Sequence, residues 1–170
     1  MIKFLHLPVS LTTKSGDLTL RRASHDDLDA LIGLLSDDPI SAARGDQADP
    51  ADGPAYETAL VELIADPSNE ILLIVDDADR PIATMQLTRI PGMARRGSTR
   101  LLVEAVRVGD DHRSSGIGSA MMRWVIESAA PATGSSLVQL TSDEARADAH
   151  RFYERLGFVG SHRGFKFKVG

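Results

Sequence analysis

The chain has 170 residues, 42% hydrophobic and 25% charged, with a net charge of −5 and no cysteine. That length suits one domain with a sizeable core of its own, and the missing thiol excludes disulfides, thiolate metal sites and a cysteine nucleophile. The acidic balance argues against nucleic acid, whose phosphates call for a basic face, and suits a cationic substrate.

Residues 1–17 read as an extension before a domain spanning 18–170, with Ile2, Phe4 and Leu7 available for a short strand or arm. The apolar cluster at 4–9 is too short and too interrupted to span a bilayer, and no small-residue cleavage site follows it. The expectation is a cytoplasmic protein with no membrane partner. Residues 18–22 alternate as a half-buried strand does. Ser24 and Asp27 then have the spacing of a capping box before a helix with the stripe Leu28, Leu31, Ile32 and Leu35. Polar residues 36–53, with Pro39 and Pro50, form a long loop of the kind that serves as a lid.

A second helix is predicted at 54–65, burying Tyr56, Leu60, Leu63 and Ile64 ahead of Pro67. The run 71–75, the acidic turn 76–79 and the run 82–89 read as strand, turn, strand, and another strand covers 100–108. Ile117, Met121, Trp124 and Val125 mark a helix that is expected to stop before Pro131. A strand at 137–141 precedes a last helix with the stripe Ala145, Ala149, Phe152 and Leu156, closed by Gly157. Two strands, 158–162 and 165–169, are expected around Arg163-Gly164. The element order predicts an α+β domain on a mixed, mostly antiparallel sheet flanked by helices.

The run His112-Arg113-Ser114-Ser115-Gly116-Ile117-Gly118 lies between a strand and a helix. The first amides of a helix have no partner within it and, with the helix dipole, they attract anions. Gly116 and Gly118 let the backbone approach closely, Ser114 and Ser115 add hydroxyls, and Arg113 adds charge. A dinucleotide fingerprint would need a small residue where Met121 stands, and no Gly-x-x-x-x-Gly-Lys-Ser/Thr loop occurs.

Three segments in this order, 103–108, Arg113-x-x-Gly116-x-Gly118, and 149–158 with Phe152-Tyr153 and Gly157-Phe158, resemble the GNAT superfamily of N-acetyltransferases over roughly residues 18–169. The resemblance implies the GNAT fold, with splayed strands at a coenzyme A site and acetyl-CoA as co-substrate. It implies that Arg113, Ser114, Ser115, Gly116, Ile117, Gly118 and Ser119 hold the pyrophosphate. It also implies that freed amides of Val106, Arg107 and Val108 pair with the pantetheine arm. Tyr153 matches the tyrosine that protonates the leaving thiolate. Arg146 stands where the family often has Asn.

Glu104 is the candidate base. Strict alternation puts it on a face with Leu102, Val106 and Val108, a carboxylate in an apolar row whose pKa burial would raise. Deprotonating an amine of pKa near 10 at pH 7 costs about 4 kcal/mol, which a carboxylate acting through water helps to meet. An ion pair with Arg100 or Arg107 is the alternative role. Five scattered histidines have no metal-ligand spacing, so no metal is expected. His162 is a candidate for the acceptor side, and Arg95 and Arg96 read as solvated. The expected activity is acetyl transfer to a primary amine of a small molecule by direct attack in a ternary complex, in a homodimer by family habit. A protein N-terminal or lysine acetyltransferase and a non-catalytic coenzyme A-binding module are the alternatives.

Overall fold

The computed structural model describes residues 2–43, 45 and 47–169, apart from the side chains of Pro39 and Ser41. Six strands form one sheet in sequence order: β1 Val9–Thr13, β2 Gly16–Arg22, β3 Asn69–Val75, β4 Pro81–Ile90, β5 Arg100–Val108 and β6 Leu137–Leu140. Neighbours are antiparallel except β5 and β6, which run parallel from Arg100–Leu137 to Val103–Leu140. The main helices are α1 Leu28–Ser36, α2 Gly53–Ala65, α3 Ile117–Trp124 and α4 Ala147–Arg155.

Strand alternation divides the core into two layers. Ala83, Met85 and Leu87 of β4 are buried with Leu72 and Ile74 of β3 against Met121, Met122 and Val125. Leu73 and Val75 of β3 point the other way and pack with Leu31, Leu34 and Leu60 of α1 and α2. β3 is therefore covered on both faces, which explains its unbroken apolar run: a fully buried strand has no solvent side to keep polar.

The extension is part of the sheet. β1 pairs with β2 along its whole length, and Ile2 and Leu5 are buried in the larger core cluster. Arg22 holds this segment by donating from Nη2 to the Leu5 carbonyl at 2.9 Å and from Nε to Glu70 Oε1 at 3.0 Å. Arg21 bridges Asp27 and Asp79, and Ser24 N donates to Asp27 Oδ2 at 2.7 Å. The Arg21 guanidinium and the Ser24 donors hold the Asp27 carboxyl down at about 2, against the opposing effect of burial.

Three expected elements differ from the structure, the first being the loop at 36–53, which carries short helical turns at Pro39–Ala42 and Pro50–Asp52. The helix does not stop before Pro131: Val125–Ala129 widens into a π turn and a last turn, Ala130–Ala132, carries the proline. The wider turn accommodates a residue without an amide proton. Residues 158–169 form no strands. The alternation of Phe165, Phe167 and Val169 with lysines has the pattern of a strand, but a strand requires a ladder partner, and these side chains are 85–91% exposed.

Candidate active site

The centre of the site is an irregularity in β5. Gln86 faces Glu104 and Thr84 faces Arg107, so Met85 stands opposite two residues and Ala105 is the extra one, in a left-handed conformation with φ +50°. The bulge reverses the alternation. Leu101 and Val103 precede it on the α3 face and Val106 and Val108 follow it on that same face, while Glu104 and Ala105 turn toward α1 and α2. Glu104 therefore does not share a face with Val106 and Val108, and it is exposed rather than buried. Strict alternation missed this because it counts no extra residue.

Beyond Val103–Leu140 the pairing with β6 ends, and among the described residues β5 continues with β4 as its sole ladder partner. Gly109 N donates to the Ile82 carbonyl at 2.9 Å. Counting back by twos, Arg107 N–H points to β4 while the amides of Val106 and Val108 point to the open edge. The Arg107 side chain turns back on the strand, where Nη1 donates to the Val106 carbonyl at 2.8 Å.

At one end of this opening lies the loop 113–119. Gly116 caps α3 with φ +89°, Ser114 has φ +65°, and the first intrahelical bond runs from Ala120 N to Gly116 O at 3.0 Å. The amides of Ile117, Gly118 and Ser119 precede that bond and are the donors a helix start leaves for an anion. The tip of the β1–β2 hairpin rests on the loop: Lys14 N donates to Ser115 O at 3.3 Å, and a Cβ on Gly116 would lie 3.2 Å from Lys14 Cγ. Gly118 meets α4, because its Cβ would stand 3.5 Å from Phe152 Cζ. Arg113 pairs with Asp110 and donates to the Asp37 carbonyl at 3.3 Å. The donor set suits a pyrophosphate: helix-start amides, with Arg113 close by in sequence and paired to Asp110.

Tyr153 comes in on α4, edge-on to Phe152 at 5.1 Å and to Phe158 at 5.8 Å between ring centroids. Burial pushes its hydroxyl pKa up, and the charges of Arg107 and Arg146 oppose that shift. The phenol therefore keeps its proton at neutral pH, as a proton donor must. Arg146 makes a two-pronged ion pair with Asp38, one arm at 2.9 Å. It thereby ties the start of α4 to the segment after α1, which the Asp37 contacts also tie to the anion loop. Lys14 and Asp38 have no local motif, and the position of Arg146 is marked by the family pattern without its partner being legible. Partners 108 residues apart, as Asp38 and Arg146 are, leave no spacing signal.

On the α1/α2 face a cavity of ≈ 220 Å³ opens beside Ala105, walled mainly by leucines and isoleucines of α1, α2 and β3, with Tyr56, Thr84 and Gln86. Native cores leave few voids larger than a water. Gln86 lines it and shares a register position with Glu104, so the carboxylate lies on the same face of the sheet. Among the described residues no ion pair engages Glu104. His162 lies in the exposed tail, where Ser161 Oγ is 2.7 Å from its Nδ1, and Arg95 and Arg96 are exposed. Positions 44 and 46 of the expected lid lie outside the described residues. Among the described residues no cluster of histidine and carboxylate side chains suits a metal, and no helix is long and apolar enough to cross a membrane.

A mixed sheet opened between two parallel strands, with a helix start at the opening and a tyrosine from a later helix, is the GNAT architecture, a fold of acyltransferases. The model of the Acetyltransferase (GNAT) family matches residues 29–158, and the chain belongs to that family. The crystal structure of a transcriptional regulator from Bacillus halodurans C-125 is 35% identical, with a TM-score of 0.83 over 89% of this chain and 99% of that one. A putative acetyltransferase from Agrobacterium tumefaciens str. C58 superimposes with a TM-score of 0.70 at 24% identity, over 88% and 99% of the two chains. Among curated proteins, an aminoalkylphosphonate N-acetyltransferase from Salmonella typhimurium is 44% identical over 55 residues, which is 32% of this chain and 34% of that relative.

Proposed function

We propose that the protein transfers the acetyl group of acetyl-CoA to a primary amine of a small molecule by direct attack in a ternary complex. The observation that carries this reading is the bulge at Ala105 where the pairing with β6 has ended, with Glu104 directly before it on the sheet face that lines the α1/α2 cavity. The donor thioester would lie along the free amides of Val106 and Val108, with its pyrophosphate at residues 113–119 and Arg107 beside it. A free strand edge is completed by an extended ligand as it is by another strand. One edge amide can also polarise the thioester carbonyl.

The amine enters from the cavity side as an ammonium ion. Glu104 accepts one proton through water, the neutral nitrogen attacks the carbonyl carbon, the carbon–sulfur bond breaks as Tyr153 protonates the sulfur, and the second proton shed by the nitrogen passes through water to restore the Tyr153 hydroxyl, so that the proton on Glu104 is the one released to solvent. Homodimerisation belongs to the same proposal. It is supported by the exposed, strand-patterned apolar side chains at 165–169, which a second copy would cover, and sedimentation equilibrium reads it.

Thiol release from acetyl-CoA in the presence of a panel of amines tests the activity. Acetyl-CoA must first raise the melting temperature, because a ligand that binds only the folded state stabilises it. No shift at saturating acetyl-CoA would remove the donor assignment, and no release with any amine would favour a non-catalytic binding module.

A further inference from the structure

The cavity walls restrict what the acceptor can be. Leu31, Ile32 and Leu35 of α1 face Ala59 and Leu63 of α2 across Ile71 of β3. Two polar residues of β4 line it, and each already makes a hydrogen bond within the sheet: Thr84 Oγ1 donates to the Leu72 carbonyl at 3.0 Å and one hydrogen of Gln86 Nε2 goes to Asn69 Oδ1 at 3.2 Å. No Lys, Arg or His stands among the described lining residues. A phosphate or phosphonate buried there would lose its hydration without gaining a cation, and a second ammonium would be stranded among leucines. The remaining polar groups are Tyr56 on α2 and, on the sheet side, the bulge at Ala105, next to Glu104, which stands opposite the lining residue Gln86.

We infer that this cavity selects primary amines with an uncharged apolar body, such as n-alkyl and phenylalkyl amines, their nitrogen held on the Glu104 side. The inference rests on the acetyl-transfer reading above and adds the acceptor class. The volume of ≈ 220 Å³ leaves room for an alkyl or phenyl body of several carbons. The curated relative's name specifies an aminoalkylphosphonate; the apolar lining makes such an anion a poor acceptor here.

Rates of thiol release with acetyl-CoA fixed are measured for ethylamine through octylamine, 2-phenylethylamine, 2-aminoethylphosphonate and spermidine. Each buried methylene raises kcat/KM by about fourfold up to about hexylamine, after which the series levels off. The phosphonate and spermidine fall at least about 100-fold below hexylamine. Ala59→Trp, which puts an indole into the cavity from the outer part of α2, raises the KM for hexylamine by about tenfold or more, with the KM for acetyl-CoA within about twofold of wild type. A flat or falling alkyl series, or preference for the phosphonate, overturns the inference and leaves the donor assignment standing. Should acetyl-CoA fail to bind, the donor assignment falls instead, and calorimetric titration of hexylamine into the protein alone decides about the cavity. Saturable binding that Ala59→Trp abolishes upholds it, and no binding overturns it.

Discussion

Replacing Gly116 by alanine tests the anion loop in isolation. Gly116 has φ +89°, a region that costs an L-residue about 1–2 kcal/mol relative to glycine. The new methyl would stand 3.2 Å from Lys14 Cγ, tight but relieved by a small movement of a flexible side chain, and 3.5 Å from Lys14 N, an ordinary contact. Strain therefore dominates, and two responses are open to the loop. Kept in its native conformation, it destabilises the protein by that amount, a loss of about 2–8 °C in Tm for a chain of this length. Relaxed into another conformation, it leaves between about one fifth and one thirtieth of the molecules competent to bind, and the Kd for acetyl-CoA rises about 5- to 30-fold. Differential scanning fluorimetry and calorimetry read the two effects separately. Gly118→Ala is the control: Gly118 has no positive φ, its Cβ would only touch Phe152, and it sits in the first turn of α3. The apo protein is therefore unchanged or up to about 1 kcal/mol more stable. A Gly116→Ala protein with wild-type Tm and wild-type Kd would refute the idea that this left-handed position shapes the donor site.

Glu104→Gln should lower kcat/KM about 100-fold at pH 7, with the deficit shrinking as the pH nears the pKa of the amine, because the free amine then needs no base; an equal loss across the pH range would remove the proton-accepting role. Tyr153→Phe should slow thiol release by about 100-fold or more with the Kd for acetyl-CoA nearly unchanged, and a loss confined to binding would make the residue a packing element. The depressed pKa of Asp27 predicts stability that is complete above about pH 4, the ordinary carboxyl range, and lost as the pH falls through about 2, amounting to about 2 kcal/mol. Denaturant titrations at successive pH values should show that loss in the wild type but not in Asp27→Asn, which starts less stable. A double-mutant cycle of Asp38→Asn and Arg146→Met should give a coupling of about 1–3 kcal/mol in unfolding free energy, and a coupling near zero would mean the pair does not tie α4 to the segment after α1.

What the sequence by itself determined is local in origin. The strand runs, the stripes of α1, α2 and α4, and the glycine turn before Ile117 depend on periodicity and backbone freedom that neighbouring residues carry. Their order, with the motifs at 113–118 and 152–158, was enough to point to the family. The neighbours of Glu104 were not legible, because one extra residue at Ala105 shifts every later side chain, Val106 and Val108 included, to the other face, and a bulge depends on how β4 pairs with β5. The same holds for the amide of Arg107, which the register turns to β4. The extension became β1, buried Ile2 and the support of Lys14 under Gly116 only through contacts with chain remote in sequence. Residues 158–169 show the converse: a strand pattern is local, a strand is not, and within one chain nothing described pairs with it. The acceptor cavity likewise exists only where α1, α2 and three strands meet, so its apolar character could be read only once those walls were assembled.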